Sequence, residues 1–209
     1  MPDAHGSALH AGMILVRHGQ SEFNVVFSLT RQDPGIRDPR LTPEGRRQAE
    51  AAAEALVSRG IERLIASPYS RALETAEIVA RRLDVLIAVE PLVGERAAFA
   101  CDVGTPRRDL MTRWPHLALD HLAEEWWPTL EESEDRLSAR CAAFRAQMRT
   151  QPDWARVAVV SHWGFIRGLT GLTVQNGAVL RIDPHRPEAK AEILLSPSAM
   201  PVAGKKTTP

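Results

Sequence analysis

Met13-Ile14-Leu15-Val16-Arg17-His18-Gly19 is the stretch on which the fold turns. Four apolar residues in succession, with no polar alternation, fit a strand buried on both faces of a parallel sheet. The run stops at a cation, an imidazole and a glycine, so the strand ends in a polar loop. The pattern recurs twice. Leu64–Ala66 leads through Ser67-Pro68 to Arg71, and Val157–Val160 leads into Ser161-His162-Trp163-Gly164. Parallel strands carry their carboxyl ends to one edge of the sheet, where open α/β sheets bind their ligands. Arg17, His18, Arg71 and His162 are therefore expected at one edge, although they are far apart in sequence.

Helical patterns fill the intervals. Thr42-Pro43-Glu44 supplies an N-cap, a proline at the first helical position and an acid in the first turn. Ala49, Ala52, Ala53 and Leu56 then share a face, and Gly60 stops the helix. Ser70 is expected to cap a helix striped by Ala72, Ala76, Val79, Ala80 and Leu83. Val85–Val89 reads as a third strand. Residues 91–130 read as irregular and carry Trp114, Trp126 and Trp127; the last two either line a substrate entrance or pack beneath a long loop. Glu131–Arg149 reads as a long helix, Gly164–Leu172 as a short one, and Ala178–Ile182 with Ala191–Leu195 as a closing pair of strands. This β-α-β-α-β order predicts an α/β fold of three layers, with a mostly parallel sheet between helices. Residues 12–195 form the expected domain, with tails at 1–11 and 196–209.

Composition narrows the function. The 209 residues carry 26 Lys+Arg against 26 Asp+Glu, so a polyanion such as nucleic acid is not the expected partner. Of the basic residues, 23 are arginine and three lysine. Two cysteines, Cys101 and Cys141, make no disulfide framework and no metal knuckle, and read as buried thiols. No apolar run approaches the roughly 20 residues that span a bilayer, and residues 1–12 lack a signal-type apolar core, so a cytoplasmic location and no membrane partner are expected. Against this neutral background the set Arg17, His18, Arg71 and His162, with Asn24 near it in sequence, is locally cationic and rich in donors. Its natural ligand is a small anion with several oxygens, above all a phosphate, which guanidinium groups bind bidentately.

The motifs resemble those of the histidine phosphatase superfamily, the phosphoglycerate mutase-like family. Leu15-Val16-Arg17-His18-Gly19-Gln20-Ser21 through Asn24 is similar to its signature. Leu41-Thr42-Pro43-Glu44-Gly45 through Gln48-Ala49 resembles the next block, and Ser67-Pro68 through Arg71-Ala72 and Thr75-Ala76 the one after. Ser161-His162-Trp163-Gly164 resembles the last. Order and spacing agree over residues 13–172, about three quarters of the chain.

The resemblance implies a phosphoglycerate mutase-like sandwich and phosphoryl transfer; no clustered set of metal-ligand residues stands out in the sequence, so no metal and no cofactor are expected. His18 is implied as the nucleophile that becomes a phosphohistidine. Arg17, Arg71 and His162 are implied as the phosphate clamp, with Asn24 as a supporting donor. A carboxylic acid between the third strand and the variable region is implied as general acid; Glu95 fits that place best, and Glu90 and Asp102 are the alternatives. Gly19 is expected to let the backbone approach the ligand, and the start of the Ser161–Gly168 segment to offer helix N-terminal N–H groups. The other histidines, His5, His10, His116, His121 and His185, are expected to have no role. Gln20 stands where glutamate is common in the family. Residues 97–106 lack the lysine of the cofactor-dependent mutases, and Lys190 is the one lysine before the C-terminal tail. The expected activity is therefore hydrolysis of a small phosphomonoester. The alternatives are a phosphoglycerate mutase and a catalytically vestigial phospholigand-binding module.

Overall fold

A computed structural model describes residues 12–129 and 131–197. Six strands form one sheet: β1 (Met13–Arg17), β2 (Arg63–Ala66), β3 (Ile87–Val89), β4 (Val157–Ser161), β5 (Val179–Ile182) and β6 (Glu192–Leu195), in the order β3-β2-β4-β1-β5-β6. The pairs β3–β2, β2–β4 and β4–β1 are parallel; β5 joins β1, and β6 joins β5, antiparallel. The sheet is thus parallel through its centre, with the expected closing pair along one side.

Strand geometry sends alternate side chains to opposite faces, and the two cores follow that alternation. Ile14, Val16, Leu64, Ala66, Ala158 and Val160 face one way, onto α2 (Pro43–Leu56), α3 (Ser70–Leu83) and α4 (Arg107–Arg113). Met13, Leu15, Ile65, Val157 and Val159 face the other way, onto α5 (Glu134–Arg149) and α6 (Trp163–Thr170). The three layers anticipated from the sequence are these. The tail assigned to 1–11, and residues 198–209 of the tail assigned to 196–209, lie outside the described residues.

Several boundaries differ from the sequence reading, for local reasons. The N-cap of α3 is Tyr69, not Ser70. A distant carboxylate does the capping: Asp38 accepts the Ser70 N–H at 2.8 Å and the Ser70 hydroxyl at 2.7 Å. Helix α5 begins at Glu134, because Ser133 caps it through the Arg136 N–H. Strand β3 begins at Ile87, after the left-handed Asp84 that ends α3. Helix α6 runs from Trp163 to Thr170 and closes on Gly171 at φ 73°. A further helix, α1 (Glu22–Thr30), was not anticipated; it carries two adjacent β-branched valines and only Phe23 is buried. The 91–130 region contains α4 and two single 3₁₀ turns, Pro91–Val93 and Ala100–Asp102.

Candidate active site

Register assembles the site. Val16, Val160, Ala66 and Val89 stand side by side in four adjacent parallel strands. One residue further on, Arg17 stands beside Ser161, with Ser67 and Glu90 following β2 and β3. Beyond that row the strands end, and His18 and His162 meet with ring centroids 4.9 Å apart.

His18 is buried, and its Nδ1 lies 2.7 Å from the Gly19 carbonyl. A carbonyl only accepts, so Nδ1 carries the proton and Nε2 holds the lone pair. Burial, with Arg71 and Arg17 nearby, pushes the His18 pKa well below 6.5. The imidazole is therefore neutral near pH 7, with a defined nitrogen free to act as a nucleophile. His162 is likewise pushed down by burial, Arg71 and His18, and its Nε2 pairs with the Ser67 hydroxyl at 2.8 Å.

The guanidinium groups are anchored from behind. Arg17 donates from Nη1 to the Val174 carbonyl at 2.6 Å, and burial lowers its pKa to about 10, so it stays charged at neutral pH. Arg71, on the first turn of α3, donates to the Cys101 carbonyl and to Asp102 Oδ1, and its guanidinium lies over the Tyr69 ring at 4.6 Å. Among the described residues, Arg17 Nε and His162 Nδ1 are buried without a hydrogen-bond partner. Buried orphan donors and acceptors are costly; Arg107 Nε and Arg167 Nε are two more among the described residues, and the first two belong to one locally cationic cluster. Such a cluster suits a multi-oxygen anion.

Glu95 follows the 3₁₀ turn after β3. Its Oε1 accepts the N–H groups of Arg96 at 2.8 Å and Gly164 at 2.7 Å. Burial and Asp102 raise its pKa; Arg71 and the Arg96 N–H work against them. Oε2 has no partner among the described residues, so a proton can reside there. The N-terminal N–H of α6 at Gly164 thus holds this carboxylate, where the sequence reading reserved the helix start for the ligand. The two other acids are engaged elsewhere. Asp102 is saturated by Arg71, the Cys101 thiol and the N–H groups of Ala98 and Phe99. Glu90 caps its own turn through the Leu92 N–H.

Asn24 sits at the N-terminus of α1, where its Oδ1 accepts from the Ser21 N–H and hydroxyl and from Asn176 Nδ2. Gly19 has another duty than the expected one. A Cβ on it would lie 2.1 Å from the Gly45 carbonyl oxygen, so the glycine admits neighbouring backbone rather than ligand. His121 is exposed, with Nε2 2.9 Å from the Val89 carbonyl, and His116 pairs with Glu77; the remaining described histidine, His185, packs on Trp154. His5 and His10 lie outside the described residues. Both cysteines are buried free thiols.

Sequence reasoning missed four supports of the site. Asp102 was weighed only as an acid, and Tyr69, Ser67 and Asn176 were not weighed at all. Asn176 donates to the His18 carbonyl at 3.2 Å. Tyr69 packs its edge on His162 and donates its hydroxyl to the Asp102 carbonyl at 2.7 Å. Ser67 and Tyr69 lie within the Ser67–Arg71 block, which was the available signal. A cavity of about 350 Å³ opens beside Glu95 and Tyr69, walled by Trp126, Trp127, Glu132 and Arg136. Trp126 also packs on Tyr69 and donates to the Thr105 carbonyl, so one side chain both walls the cavity and packs against the site.

Among the described residues no group of three or more His, Cys, Asp or Glu could hold a metal ion, and no helix is long and apolar enough to cross a membrane. Comparison with known proteins agrees with the geometry. The chain is 32% identical over 193 residues to a probable phosphoglycerate mutase, GpmB, of Photorhabdus laumondii, covering 83% of this chain and 85% of that one. It is 29% identical to the glucosyl-3-phosphoglycerate phosphatase of Mycolicibacterium vanbaalenii, covering 80% and 78%. In three dimensions it matches a mycobacterial glucosyl-3-phosphoglycerate phosphatase solved with VO3, at a TM-score of 0.61 and 22% identity over 90% of this chain and 99% of that one. The family model for the histidine phosphatase superfamily, branch 1, matches residues 13–186, which span the strand-end histidines, the arginines and Glu95, and the chain belongs to that superfamily.

Proposed function

We propose that this protein hydrolyses a small phosphomonoester through a phosphohistidine on His18. The observation that carries this reading is the neutral His18, its Nδ1–H held by the Gly19 carbonyl and its ring flanked by His162 and by Arg17 and Arg71. In the first step the Nε2 lone pair forms a bond to phosphorus and the ester P–O bond breaks. Arg17 and Arg71 balance the phosphoryl charge and His162 adds a hydrogen bond from its unpartnered Nδ1, which together are most of what this chemistry requires. The leaving oxygen takes the proton of Glu95. In the second step water attacks phosphorus, Glu95 takes a water proton, and the N–P electron pair returns to Nε2. The leaving group occupies the cavity beside Glu95, against Trp126 and Trp127. Asn24 supports the phosphate through its amide N–H groups, since its Oδ1 is engaged.

Phosphate release from an aryl phosphate, with chelator present, tests the reading. Turnover that disappears in His18→Ala supports it. No turnover of any phosphomonoester between about pH 5 and 8, a range bracketing the ordinary imidazole pKa, overturns it. The mutase alternative is separated by a coupled assay for interconversion of the two monophosphoglycerates. Binding of phosphate without turnover would mark the vestigial alternative. The lysine-free 97–106 segment and the catalytic set's completeness favour hydrolysis over both.

A further inference from the structure

Arg140, on α5, is outside the phosphate cluster and satisfies all five of its N–H donors at once. Nε and Nη2 bond the two oxygens of Glu132, at 3.0 and 2.6 Å. Nη1 bonds the carbonyls of Leu92 and Gly94, at 2.7 and 2.8 Å, and Nη2 also reaches the Glu95 carbonyl at 3.2 Å. The guanidinium lies 5.6 Å from the centre of the Phe165 ring, one residue past the Gly164 whose N–H holds the Glu95 carboxylate. The Ser161 hydroxyl takes the intervening Val93 carbonyl at 2.6 Å, so four consecutive carbonyls leading into Glu95 are held. Glu132 extends the clamp, with its N–H on the Ala97 carbonyl and its own carbonyl accepting from Arg96.

We propose that Arg140, braced by Glu132, is the positioning residue that fixes Glu95 for proton transfer to the leaving group; this rests on the reading of Glu95 as the acid given above. No regular secondary structure holds residues 94–97, so their placement depends on side chains that reach their carbonyls. The five-donor planar fork suits this work, and a lysine ammonium could not span the same acceptors. A shift of about 1 Å in a catalytic group can cost on the order of 10²-fold in rate.

The test compares two substrates on the full chain. Phenyl phosphate expels a phenolate of pKa about 10 and needs a proton; dinitrophenyl phosphate expels a far weaker base and does not. Arg140→Met is expected to lower kcat/KM on phenyl phosphate on the order of 10²-fold while changing kcat/KM on dinitrophenyl phosphate little, since kcat/KM stops at phosphoryl transfer to His18 and leaves out the later step in which Glu95 serves as base for either substrate. Glu95→Gln is expected to show the same selectivity, and the double variant to be no slower than Glu95→Gln alone. Glu132→Gln, which keeps volume and shape, is expected to show a smaller loss of the same kind and covers the case in which Arg140→Met does not fold. Equal losses on both substrates in a folded variant, or losses that multiply in the double variant, overturn the proposal. A wild-type protein that hydrolyses neither substrate instead overturns the function on which the proposal rests.

Discussion

Arg71 Nη2 and Asp102 Oδ1 lie 3.1 Å apart, with side chains only 3% and 1% exposed. The pair joins the first turn of α3 to the 3₁₀ turn at Ala100–Asp102, and it aims one of the cluster's cations. Removing one partner of a buried pair leaves an uncompensated charge and costs about 3–5 kcal/mol. Asp102→Ala is expected to lower the melting temperature and to weaken orthophosphate inhibition, and Asp102→Asn to do both less. Thermal melts with and without phosphate check this. An Asp102→Ala protein with unchanged melting and unchanged phosphate affinity would remove Asp102 from its assigned role.

Two buried neutral histidines make stability depend on pH. His18 and His162 both have folded pKa values well below the ordinary 6.5. Below 6.5 the unfolded chain takes up protons that the folded chain refuses, so stability falls as pH falls from about 6.5 toward the folded values. Urea midpoints at neutral and acidic pH are expected to show this decline, and His18→Asn with His162→Gln together are expected to flatten it. An equally steep decline in the double variant would place the acid sensitivity elsewhere.

The rate has its own pH signature. Neutral His18 is required for attack, so kcat/KM is lost on the acid side with a midpoint below 6.5. Protonated Glu95 is required for the leaving group, and its pKa is raised above 4.5 by burial and Asp102, so the other limb falls as pH rises through that value. Ionisation of the substrate, near pH 6 for a monoester by analogy with phosphorylated side chains, is common to all variants and cancels in their ratio. Glu95→Gln is expected to lose the alkaline limb for phenyl phosphate while keeping the acid limb. Retention of both limbs would assign the acid to another group.

Backbone contact between the His18 loop and α2 is equally specific. A Cβ on Gly45 would lie 2.0 Å from the Gln20 carbonyl oxygen, and one on Gly19 would meet Gly45 as closely. The two segments touch main chain to main chain, and neither can retreat without moving His18. Gly45→Ala is expected to cost about 1–3 kcal/mol, as overpacking does, and to slow turnover. A fully stable and active Gly45→Ala protein would show that the contact can relax.

The central sheet and its flanking helices were legible because their signals are local. Met13–Val16 and Val157–Val160 are uninterrupted apolar runs, and α2 and α3 carry regular alanine stripes. Bringing His18 to His162 needed only parallel strands, so that much of the site was legible too. Asp102 was not, because its bond to Arg71 spans 31 positions and issues from a turn with no periodicity. Asp38 was hidden for the same reason: it caps α3 from 32 positions away. Helix α1 was obscured by Val25-Val26, which favour a strand locally, although Ser21 and Asn24 close a capping box around its start. Arg140 reads in sequence as one more cation on a charged helix, and only the folded chain brings three carbonyls of residues 92–95 to it.

In the proposed reaction the phosphoryl group passes through His18 Nε2. Rapid alkaline quench of the enzyme with a 32P-labelled aryl phosphate, followed by digestion and mass spectrometry at alkaline pH, tests it most directly. The expected result is an acid-labile, base-stable phosphoryl group on the peptide holding His18, formed within one turnover and absent from His18→Ala. Steady turnover with no phosphorylated peptide, or a phosphoryl group on another residue, would contradict it.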